Sequence, residues 1–484
     1  MIRVRAIDRT ECGKAAIDAR RRLIAALAVC TACLPSVLSE TCVAAADEVP
    51  RIQALPSTRP AAEDFSPSEE SSATRPATQP APPPPGPFSL DAATMSGDWF
   101  GLGPAMRDAG IEALFFWNSQ FMANMAGGNS TGGPKHSATY DAIVTFDLGK
   151  MGLIPDADVL VHARQQWGRS VNPWIGPRTT GPRTHSSASQ VNDDADYSYG
   201  IYVDQLWYRQ HFLDRKLALQ FGYLDFQTIV DKNAYANSED KQFMNAALDN
   251  NPLFPTASAA GLGAALYLKP CDWYELIVGG ADAERLPLYK PGFSTTFHEH
   301  AYFLSWIENN FKVRIPSKNG PLVGNYRFGA TYDPLPREVF QDPDRPVERE
   351  GDSWGFYMSH DQKVYRENDR DNQGLGVFFR YAYQPRDRYR YNQFWSLGTE
   401  YTGLVPSRNG DALGFGFAQL RDSPAYQRWR NPASGNETIY ELYYAIKVAP
   451  WLVVSPDIQY IDNPGGDDVI SHAIAGGVRI RVTF

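Results

Sequence analysis

The stretch IAGGVRIRVTF, Ile474 to Phe484, alternates along its whole length. Ile474, Gly476, Val478, Ile480, Val482 and Phe484 form one set, while Ala475, Gly477, Arg479, Arg481 and Thr483 form the other. As a strand, this segment has an apolar face opposite a face that carries two arginines. The design recurs upstream. Leu452, Val454, Pro456, Ile458 and Tyr460 oppose Val453, Ser455, Asp457 and Gln459, and Tyr440, Leu442, Tyr444, Ile446 and Val448 oppose Glu441, Tyr443 and Lys447. Trp395, Leu397, Thr399 and Tyr401 oppose Ser396 and Glu400. Val377, Phe379, Tyr381 and Tyr383 oppose Phe378, Arg380 and Gln384, and Tyr274, Leu276 and Val278 oppose Trp273 and Glu275. The apolar faces tend to begin or end on Tyr or Trp, and the polar faces carry full charges. That is the inverse of a soluble barrel.

Which medium meets the apolar faces then decides the fold. No run after the N-terminal segment has the 18 or so unbroken apolar residues of a membrane helix. Strands in lipid must satisfy every backbone group, so the sheet has to close on itself. The pattern therefore predicts an all-β protein, a transmembrane antiparallel β-barrel with short periplasmic turns and long outer loops. The chain from Gly97 to Phe484, at roughly 24 residues per strand with its share of turns, yields about sixteen strands around an aqueous channel. The last strand is expected to pair with the first. Its terminal Phe484 resembles the signal by which outer-membrane assembly machinery recognises barrels. Aromatic residues make up 13% of the chain, and the net charge of −9 argues against nucleic acid as a partner.

The remaining N-terminal region reads differently. A basic stretch ending Arg20-Arg21-Arg22, an apolar run from Leu23 to Leu38 and Ala44-Ala45-Ala46 make residues 1–46 a secretory signal peptide. Four of the five cysteines lie there, which leaves Cys271 alone in the mature chain and excludes an intramolecular disulfide. Residues 47–95 form a proline-rich linker with eleven prolines between Pro50 and Pro87. It is too poor in apolar residues to fold, and it reads as a periplasmic spacer or as a tether that contacts the cell wall. Residues 96–484 make the barrel.

Several segments are similar to a known family. SGDWFGLGPAMRDAGIEALFFWNSQFMANMAGG carries Gly97-Asp98-Trp99, Gly101-Leu102, Ala109-Gly110-Ile111 and Gly127-Gly128. Near the other end stand Trp451, Pro456-Asp457, Gln459-Tyr460-Ile461 and Asn463-Pro464-Gly465-Gly466, with FGYLDFQTIVDKNAYANSEDKQFMN and GLVPSRNGDALGFGFA between. Together they resemble the carbohydrate-selective porins of the OprB type over Ser96 to Phe484. Three departures are Phe100 where the family has a second glycine, Pro104 within the amphipathic stretch, and Ser407 before Arg408. The resemblance implies passive, carbohydrate-selective diffusion of small sugars across the outer membrane of a Gram-negative-type cell. It is compatible with a homotrimer and requires no cofactor or metal.

A sugar-selective constriction exchanges the solute's water for weak contacts from Arg, carboxylate, amide and aromatic groups. Strand parity puts Arg380, Glu400, Glu441, Lys447, Asp457, Gln459, Arg479 and Arg481 on the lumen side. Arg164 in VLVHARQQW, and Trp207 with Arg209 in DQLWYRQHF, gather charge, amide and aromatic in one place and suit a constriction best. The loop NNPLFPTAS, Asn250 to Ser258, could fold inward to narrow the pore. An enzyme is not expected: HExxH, paired Cys and P-loop motifs are missing, and the acidic clusters Asp193-Asp194 with Asp196 and Asp467-Asp468 lack calcium-loop spacing. Two other readings compete. One is a secreted β-rich carbohydrate-binding protein or glycoside hydrolase, with its apolar faces packed in a core; the other is a general or anion-preferring porin.

Overall fold

A computed structural model of the chain describes residues 86–176, 191–192, 200–254, 260–282, 302–340, 348–429, 435–466 and 469–484. The signal peptide, residues 47–85 of the linker, both acidic clusters and residues 255–258 lie outside the described residues.

The strands are β1 (Ile111–Gly127), β2 (Gly132–Asp147), β3 (Ala157–Gly168), β4 (Tyr202–Phe212), β5 (Leu217–Asp225) and β6 (Ala260–Cys271). They continue with β7 (Tyr274–Asp282), β8 (Phe303–Ile315), β9 (Leu322–Asp333) and the two-residue pair β10 (Arg337–Glu338) and β11 (Arg349–Glu350). The series ends with β12 (Ser353–Lys363), β13 (Gly374–Tyr383), β14 (Tyr391–Thr402), β15 (Ala412–Asp422), β16 (Asn436–Ala449), β17 (Leu452–Asp462) and β18 (Ala473–Thr483). Sixteen of them close into one barrel in which each strand is antiparallel to its chain neighbours, with β10 and β11 forming a separate hairpin. The seam is β1 against β18, with Phe116 opposite Thr483 and Gln120 opposite Arg479. Closure removes the edge that lipid could not hydrate.

Parity settles which face meets what. Phe356, Phe415 and Ile458 are 57%, 47% and 47% exposed, whereas Ser359, Arg380 and Gln459 on the opposite faces are 0% exposed. The apolar faces are thus the outer ones, so these strands do not pack on a protein core as a secreted lectin or hydrolase would require. Short turns at residues 213–216, 272–273 and 450–451 mark one end of the barrel, and the β16–β17 turn is Pro450-Trp451. Residues 169–201 and 226–259 connect strands at the other end.

The chain enters at the short-turn end. Met95 donates its N–H to Thr483 O, Trp451 Nε1 donates to Ser89 O, and Phe484 N donates to Phe115 O, each at 2.8 Å. Residues 86–95 are therefore fastened to the closing seam. Two helical turns, Gly97–Phe100 and Gly103–Asp108, follow, and they are clamped by Arg107 on Asp98 at 2.6 Å. Phe100 has φ +57°, left-handed backbone that a glycine adopts freely and that costs an ordinary residue about 1 kcal/mol.

Candidate functional site

The β5–β6 connection does not stay outside. Phe226, Ile229, Val230, Phe243, Met244, Leu248, Leu253 and Phe254 are all buried, too many apolar side chains for a solvated loop. Their partners are inward-facing wall residues. Phe226 stacks on Trp306 at 5.9 Å, Phe243 meets Phe378 and Tyr443 edge-on at 5.6 and 5.0 Å, and Phe254 meets Tyr357 at 4.9 Å. Glycines on the wall make room for the loop. A Cβ on Gly416 would lie 2.8 Å from the Phe243 ring, and one on Gly376 would lie 2.1 Å from the Tyr235 ring. The described part of this connection, residues 226–254, therefore lies inside the barrel.

Polar anchors fix it there, because a buried backbone needs partners for its amides and carbonyls. Arg380 donates to Leu248 O at 3.0 Å, Asp249 O at 3.1 Å, Asp231 O at 3.2 Å and Asn237 Oδ1 at 2.8 Å. Glu441 accepts from Met244 N at 2.6 Å and Asn245 N at 3.1 Å. Arg479 donates to Glu239 O and Gln242 O at 2.6 and 2.8 Å, and Arg481 pairs with Asp240 at 2.5 Å. Gln459 accepts from Asn245 Nδ2 at 2.9 Å and donates to Val191 O at 2.8 Å, which brings the β3–β4 connection to the same place. Asp457 is held by Gln459 at 3.0 Å, and Glu400 accepts from Tyr443 at 2.6 Å and from Gln242 at 3.4 Å.

Of the eight residues that parity assigned to the lumen side, Lys447 is exposed near the short-turn end of β16 and the other seven lie on the inner wall. The seven are gathered around one object, the inward loop; the polar atoms of six of them hold it, and Asp457 is bonded to Gln459 behind it. The other three residues sit elsewhere. Arg164 binds Asp141 at 2.7 Å and reaches Glu239 of the loop at 3.5 Å. Beside it, His162 lies between Asp141 and Asp204 at 2.8 and 3.2 Å. Arg209 is sandwiched between the Trp207 and Tyr267 rings, at 4.5 and 5.0 Å, and donates to Gln220 Oε1. Residues missed from the sequence are the loop's own: Lys232, Tyr235, Asn237 and Glu239 are partly exposed, with Asn237 and Tyr235 turned to the β13 wall and Glu239 toward Arg164. Burial pulls the Lys232 ammonium down to about 8. Burial would raise the Asp240 carboxyl, but Arg481 beside it outweighs that and holds it well below the usual carboxylate range.

A narrowed, polar passage through a closed barrel filters solutes by size and by hydrogen bonding. Comparison with known proteins agrees. The profile of the carbohydrate-selective porin OprB family matches residues 133–484. Porin B of Pseudomonas aeruginosa is 24% identical over 443 residues, which cover 82% of this chain and 92% of that protein. The high-pH structure of Pseudomonas putida OprB superposes with a TM-score of 0.71 at 21% identity, covering 82% of this chain and all of that one. The low-pH structure of the same protein gives a TM-score of 0.53 at 17% identity.

Proposed function

The chain belongs to the OprB family of carbohydrate-selective porins, and from that premise we infer that sugars cross it between the inward loop and the facing wall of β3 to β7. It is an outer-membrane channel for sugars, and its family and fold make it a conduit rather than an enzyme. The observation that carries the route is the loop itself: residues 226–254 are held on β12–β18 and, through Phe226 against Trp306 and Asp231 against Glu308, on β8, so the passage is bounded on its other side by β3 to β7, where Arg164 reaches Glu239 of the loop and Trp207 and Arg209 lie buried in the wall. Sugar hydroxyls meet carboxylates and amides there, and ring faces meet aromatic side chains. Liposome swelling with sugars of graded size tests this. Monosaccharides should enter far faster than trisaccharides. Equal rates for both, alongside high salt conductance, would instead mark a general porin.

The proline-rich linker is proposed to run into the periplasm. In its support, residues 86–95 leave the barrel at the short-turn end, beside Thr483 and Trp451. Phe484 is proposed to present the chain to the outer-membrane assembly machinery. Deleting it should cut the yield of heat-modifiable barrel severalfold in cells, and undiminished yield would remove that role.

A further inference from the structure

The segment that enters the barrel runs over the outside of the seam. Trp99 packs edge-on against Phe115, with ring centroids 4.8 Å apart. Phe115 alternates along β1 with Phe116, whose ring lies beside the inward Arg481 at 4.7 Å, and it shares its face with Phe121 and Met125, both exposed on the outer surface. Trp99 therefore touches the lipid-facing side of the wall and not the lumen. The contact sits at the short-turn end, where Phe484 N donates to Phe115 O and Trp451 Nε1 donates to Ser89 O. Val448, at the end of β16, is exposed on the same outer side. The apolar band of the barrel thus extends to this rim.

The entry segment carries that band further with large apolar side chains that the protein leaves uncovered. Phe88 and Phe100 are 69% and 71% exposed, and Leu90 and Leu102 are both 63% exposed. Leu153 is exposed as well, in the β2–β3 turn that Lys150 ties to the segment by donating to Arg107 O at 3.4 Å. Single apolar side chains scattered over a surface need no explanation, but a group of them that continues a lipid-facing edge does. Phe100 is held out on left-handed backbone that disfavours it, at a position where the family has a glycine. The charges at its side do not oppose contact with lipid, because Asp98 and Arg107 neutralise each other at 2.6 Å.

We propose that residues 88–102 form a membrane foot, with Phe88, Leu90, Phe100 and Leu102 seated among the upper acyl chains of phospholipid in the periplasmic leaflet of the outer membrane. An interfacial element of this kind buries its apolar side about 5–10 Å into the boundary between headgroups and acyl chains. A long amphipathic helix is not needed here, since the seam itself presents the side chains at the membrane edge. The foot sets the linker's point of departure at the membrane surface and anchors the linker and the closing seam in the same leaflet. It is independent of which solute the pore passes.

Site-specific fluorescence tests the foot in the full mature chain. Cys271 is the only cysteine between residues 47 and 484, so Cys271→Ser gives a background in which Phe100→Cys, Leu102→Cys and, in the polar β8–β9 turn, Lys318→Cys each carry one nitrobenzoxadiazole dye. Heat-modifiable mobility confirms that each barrel has formed. In phospholipid vesicles, a nitroxide on the upper acyl chain should quench the dyes on residues 100 and 102 severalfold more than the dye on residue 318, and aqueous iodide should do the reverse. On the unaltered chain, a phospholipid with a diazirine in its acyl chain should leave adducts on Phe100 or Leu102 after illumination. Iodide quenching that is equal at all three residues, with no loss to the nitroxide lipid, would overturn the foot. So would diazirine adducts confined to the barrel strands. Dyes on residues 100 and 102 that iodide reaches in vesicles but not in isolated outer membranes would show that a periplasmic protein covers this surface, which also overturns the assignment to lipid.

Discussion

Replacing residues 227–254 by a short Gly-Ser turn is expected to raise single-channel conductance roughly three- to tenfold, as an occluded sixteen-stranded barrel becomes an open one. The same variant should lose discrimination between mono- and trisaccharides. The barrel survives because its ladder does not use the loop: β5 and β6 pair directly from Leu217–Leu268 to Asp225–Ala260, and every other strand bonds its own neighbours. Arg380, Arg479 and Glu441 lose their loop partners, but they then face bulk water instead of a dry contact, so no orphaned charge is left buried. Heat-modifiable mobility on gels checks that the barrel has formed, and bilayer conductance reads the pore. Unchanged conductance in a folded barrel would show that the loop is not the constriction.

Much of the wall was legible because a strand has only two faces. Once Tyr440, Ile458 and Val478 are assigned outward, the period of two fixes Glu441, Asp457 and Arg479 inward without further information. Length and closure gave the strand number in the same way. What alternation cannot convey is the content of the lumen. Arg380 reads from the sequence as a solvated pore charge, whereas it is 0% exposed and wrapped in loop carbonyls. Folding of the loop into the barrel is a tertiary event with no local period. Two signals did point to it. The segment between β5 and β6 carries Phe226, Ile229, Val230, Phe243, Met244 and Leu248 where a surface loop would be polar. The inward positions Gly376, Gly398, Gly414 and Gly416 also lie on adjoining strands, so they form a hollow in the wall. Bulky apolar residues with no outer face to join, and a wall with missing side chains, describe one fit from its two sides. The stretch Asn250 to Ser258, whose sequence allows it to fold inward, overlaps the described loop only at residues 250–254; residues 255–258 lie outside the described residues.

Arg380→Met is the point substitution with the largest expected effect on that fit. Arg380 satisfies three loop carbonyls and Asn237, and its Nε lies 3.5 Å from the Asp231 carboxylate. Methionine fills similar space but donates nothing, so Leu248 O, Asp249 O and Asp231 O lose a buried partner and the Asp231 carboxylate loses its counter-charge. Breaking a buried pair by removing one member costs about 3–5 kcal/mol, and here the cost falls on loop docking, because β13 keeps its register with β12 and β14 through backbone bonds. The loop should detach before the barrel unfolds. Single-channel records should then show large open-state noise with a raised mean conductance, and protease added at the long-loop side should cut between residues 226 and 254. Arg380→Lys should lie between, since one ammonium keeps the charge opposite Asp231 but cannot span carbonyls that a planar guanidinium reaches together. Quiet wild-type currents from Arg380→Met would mean that the apolar contacts of Phe243, Leu248 and Phe254 are sufficient to hold the loop, and that the arginine is retained for another reason.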